Sequence, residues 1–299
     1  MSYAGPEFDS PQPRRPRRRP LTLALAVLVP GALLGWLVYE GVGGAADGGA
    51  TAAPGKEASA PPTVSSTTAD DKEPAAPLKG KVVVIDPGHN LTNFRHTAEI
   101  NRKVDIGTNR KECDTTGTST NSGYAEAKFT LDVAHRLRAL LEKQGATVKL
   151  TQDGDRPYGP CVDERARIGN RAEADAVVSI HADGADAGQR GYHVILPGRV
   201  HQGIADTRRI VAPSAALGKL IATDFGRATN TKPSNYIGDG TGLVTRKDLG
   251  GLNLSTVPKV FIECGNMRDS KDAARLTSAA WRQKAAQGIS EGIVSFLRG

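Results

Sequence analysis

Four residues of metal-site chemistry stand at comparable places along the chain. His89 follows Asp86-Pro87-Gly88, just past the β-branched run 81–86 (KVVVID). His181 ends the run 176–181 (AVVSIH), and Glu263 ends 260–263 (VFIE). Glu126 precedes Phe129, Val133, Leu137 and Leu140 by three, seven, eleven and fourteen residues. That helical spacing puts its carboxylate on the apolar face, where it needs a partner, and a metal ion is a good one. Catalytic zinc sites combine three nitrogen or oxygen ligands with an open position for water. A further carboxylate beside them serves as general base. His89, Glu126 and His181 form such a ligand set for one Zn2+ ion, with Glu263 as the base. Each residue also has a plainer reading: Glu126 suits the dipole of a first helical turn, a histidine after a strand is commonly just hydrogen-bonded, and Glu263 could pair with an arginine. His96, His135, His193 and His201 lack this placement. His135, between Ala134 and Arg136, falls outside the apolar stripe and reads as a surface or packing residue.

The elements that must position these residues follow from periodicity. Short β-branched runs at 81–86, 147–150, 176–181, 192–196 and 260–263 predict buried strands. Stretches 124–143, 162–174, 214–229 and 279–297 predict helices, the first closed by Gly145. Strands alternating with helices imply an α/β fold: one domain with a mostly parallel, twisted sheet flanked by helices. In such sheets ligands bind beyond the carboxyl ends of the strands, which is where His89, His181 and Glu263 fall. The polar stretches 96–120 and 200–215 lie near that crevice and are conceivable autoinhibitory covers, while Asp86 or Asn170 is a candidate to orient a histidine.

The rest of the chain sets the context. Residues 1–20 are rich in Pro and Arg, and 41–77 in Ala, Gly, Pro, Thr and Ser. Neither can bury enough apolar surface to offset ordering entropy. The predicted order is a cytoplasmic tail (1–20), an apolar segment (21–38), a linker (39–77) and a catalytic domain (78–299). The eighteen uncharged residues 21–38 are at the lower edge of bilayer-spanning length. A preceding arginine cluster orients the downstream chain to the outside. Signal-anchor and cleaved signal peptide both remain open. Export permits disulfides, and Cys113 and Cys161, both in loop-like segments, are the natural pair, whereas Cys264 follows a strand and reads as a lone buried thiol. Residues 78–299 carry +8 of a total +7, the two preceding segments together contributing −1. Such a domain is drawn to polyanions. No nucleic-acid-binding motif accompanies the charge, which is spread along the chain.

The motifs VVVIDPGH (82–89), SGYAE (122–126), SIHAD (179–183) and PKVFIECGN (258–266) resemble the zinc-dependent N-acetylmuramoyl-L-alanine amidases of the type 3 catalytic domain. Thr151, Asp155, Arg165, Asn170, Asp175 and Gly191 fit the same pattern, and 243–254 falls where that family has a substrate-side segment. The resemblance covers 80–298 and is nearest to the single-domain enzymes of mycobacteria and related actinobacteria. It implies that His89, Glu126 and His181 hold zinc and that Glu263 is catalytic. The implied reaction is hydrolysis of the amide joining N-acetylmuramic acid to the L-alanine of the peptidoglycan stem peptide, by an extracytoplasmic enzyme expected to be monomeric. The chain departs from the pattern after Glu263, where Cys264-Gly265-Asn266-Met267 replaces a glycine–phenylalanine pair. Two rivals remain: a zinc peptidase acting within the stem peptide, and a wall-binding or regulatory module without activity.

Overall fold

A computed structural model describes residues 76–299. The expected tail, apolar segment and nearly all of the linker lie outside the described residues. The first strand, β1 (Val82–Pro87), is followed by the short helix α1 (Thr97–Ile100) and a hairpin of β2 (Lys103–Asp105) and β3 (Arg110–Glu112). The helix α2 (Glu126–Lys143) leads to β4 (Thr147–Leu150), then α3 (Val162–Arg171), β5 (Ala176–Asp183) and β6 (His193–Pro197). A second hairpin, β7 (His201–Gln202) and β8 (Ala205–Asp206), precedes α4 (Val211–Thr229), β9 (Leu243–Arg246) and α5 (Gly250–Asn253). The chain closes with β10 (Lys259–Asn266), α6 (Ser270–Leu276) and α7 (Ala279–Arg298).

Six strands form one sheet in the order β4-β1-β5-β10-β6-β9. Every pairing is parallel except that of β10 with β6. The mostly parallel α/β sheet expected from the sequence is therefore present, with one antiparallel junction. The strands read as continuous apolar runs because both faces are covered. On one face, Val83, Ile85, Val178, Ile180, Val260 and Ile262 join Phe129, Leu137, Leu217, Phe225, Ile289 and Ile293 of α2, α4 and α7 in the main core. On the other, Val84 and Val177 pack with Ile168 of α3 in a smaller cluster.

Alternation with a period of two then sorts the polar residues. Because Val178, Ile180, Val260, Ile262 and Val194 belong to the main core, Ser179, His181, Phe261, Glu263 and His193 fall on the opposite face. Beneath them lies a buried ion pair: Lys259 Nζ donates to Asp86 Oδ2 at 3.0 Å, both side chains being 1% exposed.

Candidate metal centre

Three elements converge at the carboxyl ends of β1 and β5. Gly88 must be glycine, since a Cβ there would stand 2.3 Å from His181 Cε1. That close approach lets the chain leave β1 beside β5 and deliver His89, whose backbone is left-handed (φ 61°). Glu126 is the first residue of α2 and is buried, on the same face as Phe129, Val133 and Leu137. Its carboxylate bridges two rings: Oε2 lies 3.1 Å from His89 Nε2 and Oε1 lies 3.0 Å from His181 Nδ1. The backbone N–H groups of Thr118 and Ala182 donate to the same two oxygens at 2.9 and 3.2 Å. One donor atom from each of His89, Glu126 and His181 falls within 4.8 Å of the others.

The electrostatics follow from this packing. Burial alone would lower the pKa of His89, but the carboxylates of Glu126 and Asp114 outweigh it and raise the pKa well above its usual value. Burial likewise opposes ionisation of Glu126, and the two histidines outweigh it and hold its pKa low. The far side of the His89 ring is also held, with Nδ1 lying 3.1 Å from the Thr115 carbonyl oxygen and 3.5 Å from Asp114 Oδ1. The His181 ring stacks on Phe261, with centroids 5.2 Å apart and 15° between planes.

Glu263 pairs in register with His181 on β5 and with His193 on β6, so these three stand in a row on one face. Its Oε2 is sealed from solvent without a hydrogen-bond partner among the described residues. Burial, then the charges of Asp183 and Glu126, push its pKa well above the usual carboxylate range, with His89 and Arg246 opposing. Asp183 itself accepts from the Tyr236 hydroxyl at 2.7 Å.

Several expectations need adjustment. Neither Asp86 nor Asn170 hydrogen-bonds a histidine among the described residues: Asp86 accepts from Thr151, Arg165, Ser179 and Lys259, and Asn170 bonds the 254–256 backbone. The groups on His89 are Asp114 and Thr115, whose only mark in sequence is that they follow Cys113. His193, which the strand pattern does not single out, stands beside Glu263. What hid it was the antiparallel β10–β6 junction, which no apolar pattern reports. His135 is a surface residue paired with Asp153. Stretch 96–120 does reach the site, because a Cβ on Gly117 would lie 2.7 Å from His89 Cδ2. Stretch 243–254 supplies the edge strand β9 and α5. Cys113 and Cys161 are joined by a disulfide, and Cys264 is a buried free thiol.

The family described as N-acetylmuramoyl-L-alanine amidase matches residues 83–295. An N-acetylmuramoyl-L-alanine amidase of Mycobacterium tuberculosis is 40% identical over 241 residues, covering 80% of this chain and 94% of that protein. The crystal structure of the N-acetylmuramyl-L-alanine amidase Ami1 of Mycobacterium smegmatis is similar at a TM-score of 0.67 and 39% identity, covering 74% of this chain and 98% of that one. The apo form of Ami1 from Mycobacterium abscessus gives the same TM-score and identity over 74% and 100% of the two chains. The chain belongs to the N-acetylmuramoyl-L-alanine amidase family.

Proposed function

We propose that this chain hydrolyses the amide bond between N-acetylmuramic acid and the L-alanine of the stem peptide, with His89, Glu126 and His181 holding one zinc ion and Glu263 acting as base. The observation that carries the reading is a largely buried set of two imidazole nitrogens and a carboxylate oxygen within 4.8 Å of one another, beside a carboxylate oxygen that has no partner among the described residues. Two histidines and one carboxylate fit zinc in a hydrolytic site. A zinc ion bound there supplies Lewis acidity, lowering the pKa of water from about 15.7 towards roughly 7 and polarising the scissile carbonyl. Glu126 spans both histidines and fixes their spacing. Phe261 fixes the plane of the His181 ring. Glu263 accepts the proton of the attacking water and returns it to the departing L-alanine nitrogen.

Family membership supports hydrolysis of peptidoglycan outside the cytoplasm. Residues 21–38 then act as anchor or signal, 39–77 as tether and 78–299 as a catalytic domain that works as a monomer. Among the described residues no helix is long and apolar enough to cross a membrane.

Digestion of purified wall material tests the reaction. New amines on L-alanine are expected, whereas new amines only within the stem peptide would assign the chain as a peptidase. Glu263→Ala should abolish release, and undiminished release would overturn the role of Glu263. Fractionation of cells expressing the chain with and without 1–38 tests the anchor, and light scattering of 78–299 tests the monomer.

A further inference from the structure

His89 occupies a left-handed backbone, φ 61°, that a non-glycine residue adopts only at a cost of about 1 kcal/mol or more unless its surroundings hold it there. Gln152 Nε2 donates to the His89 carbonyl at 3.1 Å, and the more extensive hold on this segment is that of Arg165 of α3. Its side chain is 6% exposed, and each of its five N–H groups has one acceptor. Nε donates to the Pro160 carbonyl at 2.8 Å. NH1 donates to Asp86 Oδ1 at 2.8 Å and to the Pro87 carbonyl at 2.6 Å. NH2 donates to the His89 carbonyl and to Asp114 Oδ2, both at 3.0 Å. One guanidinium thus grips the backbone on either side of Gly88, and it also grips the carboxylate whose other oxygen faces the His89 ring nitrogen. The disulfide lies at the same junction: Cys161 is the N-cap of α3, Cys113 precedes Asp114, and Val162 N donates to the Cys113 carbonyl at 2.7 Å.

We propose that Arg165 is a positioning residue for His89, setting its left-handed backbone directly and its ring plane through Asp114, so that Nε2 is presented as a metal donor. The inference rests on the proposed role of His89 as a zinc ligand. Asp114, with the Thr115 carbonyl oxygen, keeps Nδ1 occupied and turns Nε2 towards the Glu126 carboxylate, the side on which a metal would be held. A lysine cannot replace Arg165, because three donors on a flexible stem do not reproduce a planar fork with five.

The test uses the full chain, stripped of metal and titrated with zinc against a chromophoric chelator, and the visible spectrum of the cobalt-loaded protein. Arg165→Lys should weaken zinc binding by about 10–100-fold and shift the cobalt bands, and Asp114→Asn should do both to a smaller degree. Arg156→Lys, which alters a half-buried pair between the preceding loop and Glu164 of α3, should do neither. Arg165→Lys with wild-type zinc affinity and an unchanged cobalt spectrum overturns the proposal, whatever happens to its thermal stability. Should Arg165→Lys fail to fold, Asp114→Asn is read by the same two measurements with the same criterion. His89→Ala separates the two levels of the argument. Wild-type zinc affinity in that variant sinks the metal reading itself. Lost affinity there, with Arg165→Lys and Asp114→Asn unaffected, sinks only the positioning role.

Discussion

At the scale of single residues, two carboxylates in one crevice have opposite environments. Glu126 meets two imidazoles and two backbone N–H groups, while Glu263 keeps an oxygen with no partner among the described residues. The first environment stabilises a carboxylate anion and suits the proposed ligand, while the second favours the protonated form and suits a group proposed to take up and release a proton. Glu263→Gln should therefore lower hydrolysis by about 10²–10⁴-fold, while zinc content per chain, read by atomic absorption, stays at the wild-type value. Equal losses of zinc and activity would instead make Glu263 a ligand. His193 allows a separate prediction about pH. Burial, with the Arg246 charge, lowers its pKa to about 4 against the pull of Asp183. The unfolded chain takes up a proton below about pH 6.5, whereas the folded one does so only near pH 4. His193 thus subtracts nothing from stability above about pH 6.5 and progressively more as pH falls to about 4, by about 3 kcal/mol in all. His89 has the opposite sign, so the informative quantity is the difference from His193→Gln. Denaturant unfolding of the metal-free pair across that pH range should show the flatter profile for the variant.

At the scale of elements, the sequence was informative where a period was present. The alternation of apolar strands and helices, and the inward face of Glu126, were readable because burial leaves a repeat of two or of 3.6 residues. The hairpins β2–β3 and β7–β8, the edge strand β9 and the helices α1, α5 and α6 were not, since each is too short or too polar to carry one. Arg165 illustrates the second gap. It sits in a polar helix, and its bonds to Asp86 and Asp114 span sequence separations of 79 and 51 residues, which no local pattern encodes. The disulfide was legible because loop composition and export both pointed to it. Its loop, with a separation of 48 residues, includes Glu126, so reduction should cost about 2–4 kcal/mol of stability. Unfolding midpoints with and without reductant, alongside a Cys113→Ser/Cys161→Ser variant, would measure that loss. An unchanged midpoint on reduction would mean that packing around α3 holds the segment unaided. Phe129 is fully buried between α2 and the sheet, and Phe129→Ala should cost about 3–5 kcal/mol. This loss should leave the zinc affinity of the surviving folded fraction nearly unaltered, because the substitution touches no donor.

At the scale of the whole molecule, charge and position act together. Residues 78–299 carry +8, and the preceding 77 residues carry −1 in sum, so the basic charge resides in the part proposed to meet the wall. Bacterial walls present anionic polymers, and attraction between a +8 domain and such a surface is long-ranged at low ionic strength. The screening length falls from about 10 Å at 0.1 M salt to about 3 Å at 1 M, so attraction of this origin is lost over that range, whereas recognition of the amide and its flanking sugar persists. Co-sedimentation of the Glu263→Gln variant with purified wall separates the two, because the wall is not digested during the measurement. The bound fraction should fall severalfold as salt rises across that range, and the KM of wild-type enzyme for a short soluble muropeptide should change far less over the same range. Binding to intact wall that is indifferent to salt would show that shape-specific contacts, and not the net charge of the domain, hold the enzyme on its substrate.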